Sequence, residues 1–253
     1  MRDFCFPFAY RIAMAMSATG PAQALARLPL LAGVQADALA RLASHARWVD
    51  AEAGEMVVDF DDPTTDVFFV LQGGVRVLVR TADGERTQIL GDFAAGDMVG
   101  EMSAIDDAPR SARVDALVRT RLCVVPATAF LDLLFTARGA GLQVMRLLTS
   151  RIRGQNRRLL ENAALPIRLR LVSELLRLGR PRPDGAKAVT PPPTQEELAA
   201  RIGTRRETVS REMAALVREG LLRRTRGSCV LPDPAVLRAM VEAGLEQPRG
   251  NGR

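Results

Sequence analysis

Histidine and lysine are almost missing from this chain. His45 is the only imidazole, and Lys187 is the only lysine among 35 basic residues. One imidazole cannot build a poly-histidine metal site or the H-E-x-x-H helix of a zinc protease, so any catalytic base elsewhere has to be a carboxylate. Cysteine is scarce as well. Cys5, Cys123 and Cys229 stand far apart with no C-x-x-C pair, which gives neither a zinc site nor an iron–sulfur cluster enough local ligands and fits a reducing cytoplasm. No apolar run approaches the roughly 18 residues that a membrane-spanning helix needs, so no membrane partner is expected. The opening MRDFCFPFAYRIAMAM has the apolar cast of an export signal, but Pro7 and Arg11 interrupt it and no cleavage site follows. A true start at Met14 or Met16 accounts for the same stretch.

What remains is a normal globular balance. The 253 residues are 47% apolar and 25% charged, enough for one large or two ordinary domains. The net charge of +6 is unevenly placed: from Leu165 onward 17 basic residues face 10 acidic ones, whereas before it 18 face 19. The last third is therefore the candidate for a phosphate-backbone or other anionic partner.

Periodicity divides the chain. Leu25, Leu28, Leu30, Leu31, Leu39 and Leu42 have helical spacing and predict one or two short leading helices. From Trp48 to Pro126 the pattern is strand-like. Val67, Phe69 and Leu71 alternate up to Gly73-Gly74, and Val75, Val77 and Val79 alternate up to Asp83-Gly84, which reads as a β-meander. Glycines at 54, 91, 96 and 100 punctuate the stretch as in a small roll. From Leu142 the spacing of Met145, Leu148, Ile152, Gln155 and Leu159 marks a long helix with an a/d seam. That seam suits either packing on the chain's own roll or a homodimer coiled coil. Helix is expected to continue from Leu165 to Leu178, ended by the proline- and glycine-rich GRPRPDGAKAVTPPP. Two short helices over 194–222 and a wing hairpin over 223–231 follow, and QPRGNGR reads as a disordered basic tail.

Two strings carry chemistry. Thr194-Gln195-Glu196-Glu197 has the S/T-x-x-E form of a capping box, and Thr204-Arg205-Arg206-Glu207 repeats it around a turn at Gly203, where a missing Cβ allows the reversal. With Leu198, Ala199, Ile202, Val209, Met213 and Leu216 as a shared core, this is helix-turn-helix spacing. The exposed face of the second helix presents Arg205, Arg206, Glu207, Ser210 and Arg211. Arginine matches guanine O6 and N7 bidentately and glutamate accepts from cytosine N4, so this face can read G·C pairs; a solvated face with a Glu207–Arg211 ion pair is the plainer alternative. The second string is GEMSAIDDAPRSA, Gly100 to Ala112. Arg110 can pair bidentately with a phosphate, Ser111 can add a hydroxyl donor, and Glu101 can accept from a ribose hydroxyl. The alternative there is a Glu101–Arg110 ion pair that closes a loop. An acid–base pair of Glu101 with Asp106 or Asp107, hydrolysing a bound nucleotide, is a third reading that nothing in the spacing compels.

Arg206-Glu207-Thr208-Val209-Ser210-Arg211 is similar to the recognition helix of the Crp-Fnr superfamily of bacterial transcription regulators. The Gly-Glu then Pro-Arg-Ser-Ala order of 100–112 resembles the phosphate-binding cassette of cyclic-nucleotide-binding domains. The resemblance covers roughly 25–240 and implies an α+β chain. A cyclic-nucleotide-binding β-roll would span 25–140, a dimerisation helix 141–164 and a winged helix-turn-helix 165–240, with 1–24 and 245–253 disordered. It implies ligand contacts at Gly100, Glu101, Met102, Arg110, Ser111 and Ala112, and at Gln155 and Asn156 from the dimer helix. Both amides suit adenine, or guanine after a flip, and Gln155 alternatively fixes the register of the seam. At DNA the resemblance implies Thr194, Arg205, Arg206, Glu207, Thr208, Ser210 and Arg211, with Arg206, Glu207 and Arg211 reading bases. A cytoplasmic homodimer follows, bound to a palindromic operator with TGTGA-like half-sites across successive major grooves about 34 Å apart, with RNA polymerase as partner if it activates. The effector would be cyclic AMP ahead of cyclic GMP, with no cofactor required; another effector, or none, is the alternative. Iron–sulfur members need a cysteine cluster that Cys5 alone cannot supply, and haem members need a histidine inside the roll, which His45 precedes. Three departures stand out: Glu212 in the recognition helix, Arg113 after the cassette, and no turn glycine at Asp61-Asp62-Pro63.

Overall fold

The computed structural model describes residues 21–80 and 87–246, with Arg138 described by its backbone alone. The expected Asp83-Gly84 turn and most of the two ends read as disordered lie outside the described residues. The chain forms two compact units, one running to Arg151 and one from Ile152, divided within a single long helix.

The first unit opens with α1 (Pro21–Ala26), a 3-10 turn at Pro29–Leu31 and α2 (Ala36–His45). The expectation of disorder up to residue 24 is corrected here: Ala24 and Leu25 are buried in the first core and hold the opening helix in place. Strands β1 (Arg47–Ala51), β2 (Met56–Val58), β3 (Val67–Gln72), β4 (Gly74–Arg80), β5 (Thr87–Ala94) and β6 (Met98–Val99) follow. The short α3 (Glu101–Asp106) precedes β7 (Arg113–Ala116) and β8 (Thr120–Val125), and α4 (Ala127–Thr136) leads into α5 (Arg138–Ala164). The strands form two antiparallel sheets in the orders β1-β8-β3-β6 and β2-β7-β4-β5.

The meander reading is therefore wrong in one respect: β3 and β4 lie in different sheets and do not pair. The cause is visible in the strand itself. VFFVLQ is apolar at successive positions, and all of Val67 to Leu71 are buried. Val67, Phe69 and Leu71 face a core shared with α1, α2, α4 and the start of α5, whereas Phe68 and Val70 face the core between the sheets. A strand covered on both faces sits inside a sandwich, where alternation is lost. The chain changes sheet at Gly73, whose φ is +81°, and a Cβ there would lie 2.6 Å from the Arg119 carbonyl oxygen and from Thr120 Oγ1. That contact replaces the hairpin. Thr120 Oγ1 accepts from Gly74 N at 3.0 Å and lies 2.9 Å from Gly74 O and 2.8 Å from Val118 O, so one buried hydroxyl satisfies the corner's backbone. The corner expected to need a glycine near Asp61 is made by Asp61 itself, at φ 63°.

In the second unit, α5 ends at Ala164 and α6 (Ile167–Leu178) begins after Pro166, so the continuous helix expected from Leu165 is broken there. Proline disfavours helical geometry in the residue before it. The proline- and glycine-rich stretch holds a hairpin that its composition conceals: β9 (Arg180–Pro181) pairs with β10 (Lys187–Val189), with Pro181 on a sheet edge. Then come α7 (Gln195–Ile202), α8 (Arg206–Arg218), β11 (Arg223–Arg224), β12 (Cys229–Leu231) and α9 (Pro234–Glu246), with sheet order β11-β12-β10-β9. Residues 245 and 246, expected to be disordered, close α9, and Leu245 packs on the second core. Burial raises the Cys229 thiol and pushes that of Cys123 up to about 12, so both are packing residues and not nucleophiles.

Replacing Thr120 by valine keeps the shape of the side chain but removes the hydroxyl from the corner. The expected loss is about 1 to 3 kcal/mol in chemical denaturation of the full chain. A loss below a few tenths would show that the corner does not need its hydroxyl.

Candidate ligand cradle and nucleic-acid interface

Gly100 follows β6 and caps α3 at φ +85°, and a Cβ there would come within 2.8 Å of Arg110 Nη1 and 2.9 Å of the Asp66 carbonyl oxygen. This close approach lets Arg110 turn inward. It is 3% exposed, and it donates through Nη2 to Asp66 O (2.7 Å), through Nη1 to Gly100 O (3.0 Å) and through Nε to Thr64 Oγ1 (3.3 Å). Its guanidinium also lies 5.4 Å from the centre of the Phe68 ring. Burial lowers the guanidinium from its ordinary range, against Asp62, Asp66 and Glu101, which raise it. On the backbone, Arg110 N donates to Asp62 O and Asp61 N donates to Arg110 O, both at 2.9 Å, so the cassette is tied to the β2–β3 turn at four points, Asp61, Asp62, Thr64 and Asp66.

The Glu101–Arg110 ion pair is not formed. Glu101, buried at the start of α3, instead accepts from Arg151 of α5, Nη1 to Oε1 at 2.7 Å. Arg151 Nη2 also donates to Met98 O at 2.6 Å, and its guanidinium stacks 4.7 Å from the Phe93 ring centre. Ser111 is exposed, with its hydroxyl 3.8 Å from the sulfur of the exposed Met102, and Ala112 is buried. The structure thus gathers Gly100, Glu101, Met102, Arg110, Ser111 and Ala112 around α3. Gln155 and Asn156 are exposed on the second unit's part of α5. Sequence reasoning missed Arg151, although its place one helical turn before Gln155 puts it on the same face. Arg113, the extra cation after the cassette, is held by Asp115 at 2.7 Å.

Along α5, Met145 (59% exposed), Ile152 (59%) and Leu159 (67%) are open, while Leu148 packs partly on the first core. Leu142 and Leu160 are exposed beside them. Leu148 thus fits the reading of a helix packed on its own unit, whereas Met145, Ile152 and Leu159 are left uncovered within the single chain.

In the second unit the first capping box forms as its sequence requires. Thr194 Oγ1 accepts from Glu197 N at 3.1 Å, and Glu197 Oε2 accepts from Thr194 N at 2.8 Å. The second box does not form. Thr204 N donates to Ala199 O as the chain leaves the left-handed Gly203, so α8 begins one residue later with Arg205 as an N-cap that has no side-chain bond. Glu207 then stands at the second helical position, one short of the position from which a capping box closes. The core of the pair is as expected, with Leu198, Ala199, Ile202, Val209, Met213 and Leu216 all buried. Opposite it Arg205, Arg206, Glu207 and Arg211 are exposed, with Thr208 and Ser210 half-buried between them. Arg211 leans on Thr208 Oγ1 at 3.5 Å and makes no ion pair with Glu207. Arg223, Arg224 and Arg226 of the wing are exposed as well, a basic run overlooked in favour of the helix.

A model of the cyclic nucleotide-binding domain matches residues 48–137, and a model of the Crp-like helix-turn-helix domain matches residues 169–240. The CRP-like cAMP-activated global transcriptional regulator of Mycobacterium tuberculosis is 28% identical over 212 residues, covering 83% of this chain and 94% of its own. Among solved structures, the c-di-GMP responsive global regulator CLP of Xanthomonas campestris superposes with a TM-score of 0.67 at 23% identity, over 78% of this chain and 99% of that one. FixK2 of Bradyrhizobium japonicum gives a TM-score of 0.67 at 20% identity, over 81% and 99%. These two share the fold. The chain belongs to the Crp-Fnr family of DNA-binding transcription regulators. That family consists of regulators and not enzymes, which retires the nucleotide-hydrolase reading. No helix among the described residues is long and apolar enough to cross a membrane.

The two threonines separate in their expected effects. Thr194→Ala should lower stability by about 1 kcal/mol through loss of the cap, whereas Thr204→Ala should fall within about 0.5 kcal/mol of the parent. Equal losses in thermal or urea unfolding would contradict the later start of α8.

Proposed function

We propose that the chain acts as a cytoplasmic homodimer whose binding to a palindromic operator is modulated by a cyclic nucleotide, cyclic AMP ahead of cyclic GMP. The observation that carries the DNA half of this reading is the exposed face of α8, where three guanidiniums and one carboxylate stand opposite a fully buried apolar stripe. Arg206, Glu207 and Arg211 read base edges in TGTGA-like half-sites, while Thr194, Arg205, Thr208 and Ser210 contact the backbone or neighbouring bases. The open apolar positions of α5 favour a second copy as the covering partner. RNA polymerase is the further partner if the regulator activates.

The effector reading rests on the cassette and on the cAMP-activated mycobacterial relative. Gly100, Glu101, Met102, Arg110, Ser111 and Ala112 form the cradle, and Gln155 and Asn156 meet the base. A ligand raises DNA affinity only through tighter binding to the DNA-competent state. In this scheme Glu101 exchanges or shares its bond to Arg151 when a ribose hydroxyl arrives.

A second reading has an observation of its own. Arg110 is buried and already donates to three protein acceptors, which suits a structural tie in a regulator with another effector or none. The solved relative described as c-di-GMP responsive shows that effectors differ within this fold.

Calorimetry with cyclic AMP, cyclic GMP and cyclic di-GMP separates the two. On the first reading cyclic AMP binds the parent, and Arg110→Ala weakens it by at least a hundredfold; undiminished binding to that variant removes the phosphate role of Arg110. For the DNA face, Arg206→Ala or Arg211→Ala should relax preference at one G·C pair by about 1 to 3 kcal/mol in binding to a panel of substituted duplexes. A uniform loss across the panel would reassign that arginine to phosphate.

A further inference from the structure

One group of charges in the second unit, built around the buried Glu161, Glu174 and Arg201, serves neither the cradle nor the DNA face. Glu161, near the end of α5, accepts from Arg157 Nε at 3.2 Å and from Arg177 Nη2 of α6 at 2.7 Å. Arg177 turns its other nitrogen, Nη1, to Glu174 on its own helix. Glu174 is 2% exposed and also faces Arg158 Nη2 of α5 at 3.9 Å and Arg201 Nη1 of α7 at 3.5 Å. Two carboxylates thus lie among four guanidiniums drawn from three helices.

The joint these charges surround has little else to fix it. Helix α5 stops at Ala164, Leu165 N returns to Glu161 O at 2.9 Å, and Pro166 starts the next helix. Only Leu165 of the joint is buried in the apolar core. Beyond it α6 is tied onward to the helix-turn-helix pair, by Arg170 Nη1 to Ile202 O at 3.2 Å and by Arg168 to Glu219, just past the end of α8. A guanidinium cannot lose its proton to relieve burial. The 6% exposed Arg201 therefore needs its carboxylate in place, and the excess of cations means that either carboxylate, once neutralised, leaves guanidiniums facing each other. Burial already lowers Arg158, and the neighbouring Arg177 and Arg201 lower it further against the pull of Glu174.

We propose that the Glu161–Arg177–Glu174–Arg201 cluster is a latch that locks the end of the long helix to the first helix of the DNA-binding pair. A displacement of α5 then reaches α8 without loss at the proline joint. The residues of the latch are positioning residues: they touch neither ligand nor DNA and act by holding helices α5, α6 and α7 as one body.

The test is amide hydrogen exchange on the full-length protein, as the parent and as Glu161→Gln, Glu174→Gln and Arg177→Lys variants. Glutamine keeps the shape of glutamate and removes its charge, and the lysine variant is a milder change should the glutamines fold poorly. Amides 162–165 at the joint should exchange at least tenfold faster in each glutamine variant, and several-fold faster with lysine, while amides 209–216 in α8 keep the parent's protection. No acceleration at 162–165 in a folded variant would overturn the latch. Equal acceleration at 162–165 and 209–216 would overturn it too, because the cluster would then be an ordinary stabiliser of the whole unit. The measurement needs neither nucleotide nor DNA, so its outcome is independent of the effector proposed above.

Discussion

A guanidinium that enters a protein interior brings a charge it cannot discard, and acceptors have to be fixed around it. With one lysine among 35 basic residues, this chain meets that constraint repeatedly. In the first unit Arg110 is surrounded by Asp66 O, Gly100 O and Thr64 Oγ1, and in doing so it joins the cassette to the turn before β3. Arg151 matches the one buried carboxylate of the cassette, Glu101. In the second unit Arg201 and Arg177 are matched by Glu174 and Glu161. Cradle, long helix and helix-turn-helix pair are each held where an arginine meets a buried carboxylate or fixed carbonyls, with Arg110 and Arg201 themselves buried.

Against this background, the exposed arginines have a different use. Arg205, Arg206 and Arg211 on α8, with Arg223, Arg224 and Arg226 in the wing, remain open on a unit whose apolar residues are packed behind them. A guanidinium left in water has donors to offer a phosphate or a base, whereas one enclosed by carbonyls serves architecture. The distinction does not follow from net charge. Arg110 lies in the near-neutral part of the chain and Arg201 in the basic part, and both are buried.

Much of this was legible in local spacing. The Thr194–Glu197 cap, the six-residue core of the helix pair and the existence of a wing depend on contacts a few residues apart, which sequence encodes directly. The cassette's order was legible too, but the partners of its charges were not. Glu101 and Arg110 stand nine residues apart and were natural partners by spacing, yet Glu101 pairs with a residue 50 positions away. The second capping box failed for a similar reason: the left-handed turn at Gly203 ties Thr204 N back to Ala199, and the helix starts after the threonine. The meander failed because VFFVLQ was read for one face when both are buried.

The sequence by itself determined the class of protein. Residue types at short, fixed separations specify caps, turns, a recognition face and a phosphate-binding string, and these survive without knowledge of what lies across the fold. Tertiary structure alone decided which charges are enclosed and by what. That assignment depends on segments 44 to 50 residues apart arriving at the same place, as Thr64 and Asp66 do around Arg110 and as Arg151 does at Glu101. Coulombic and hydrogen-bonding partners act over a few ångströms, and only folding brings those residues within that range.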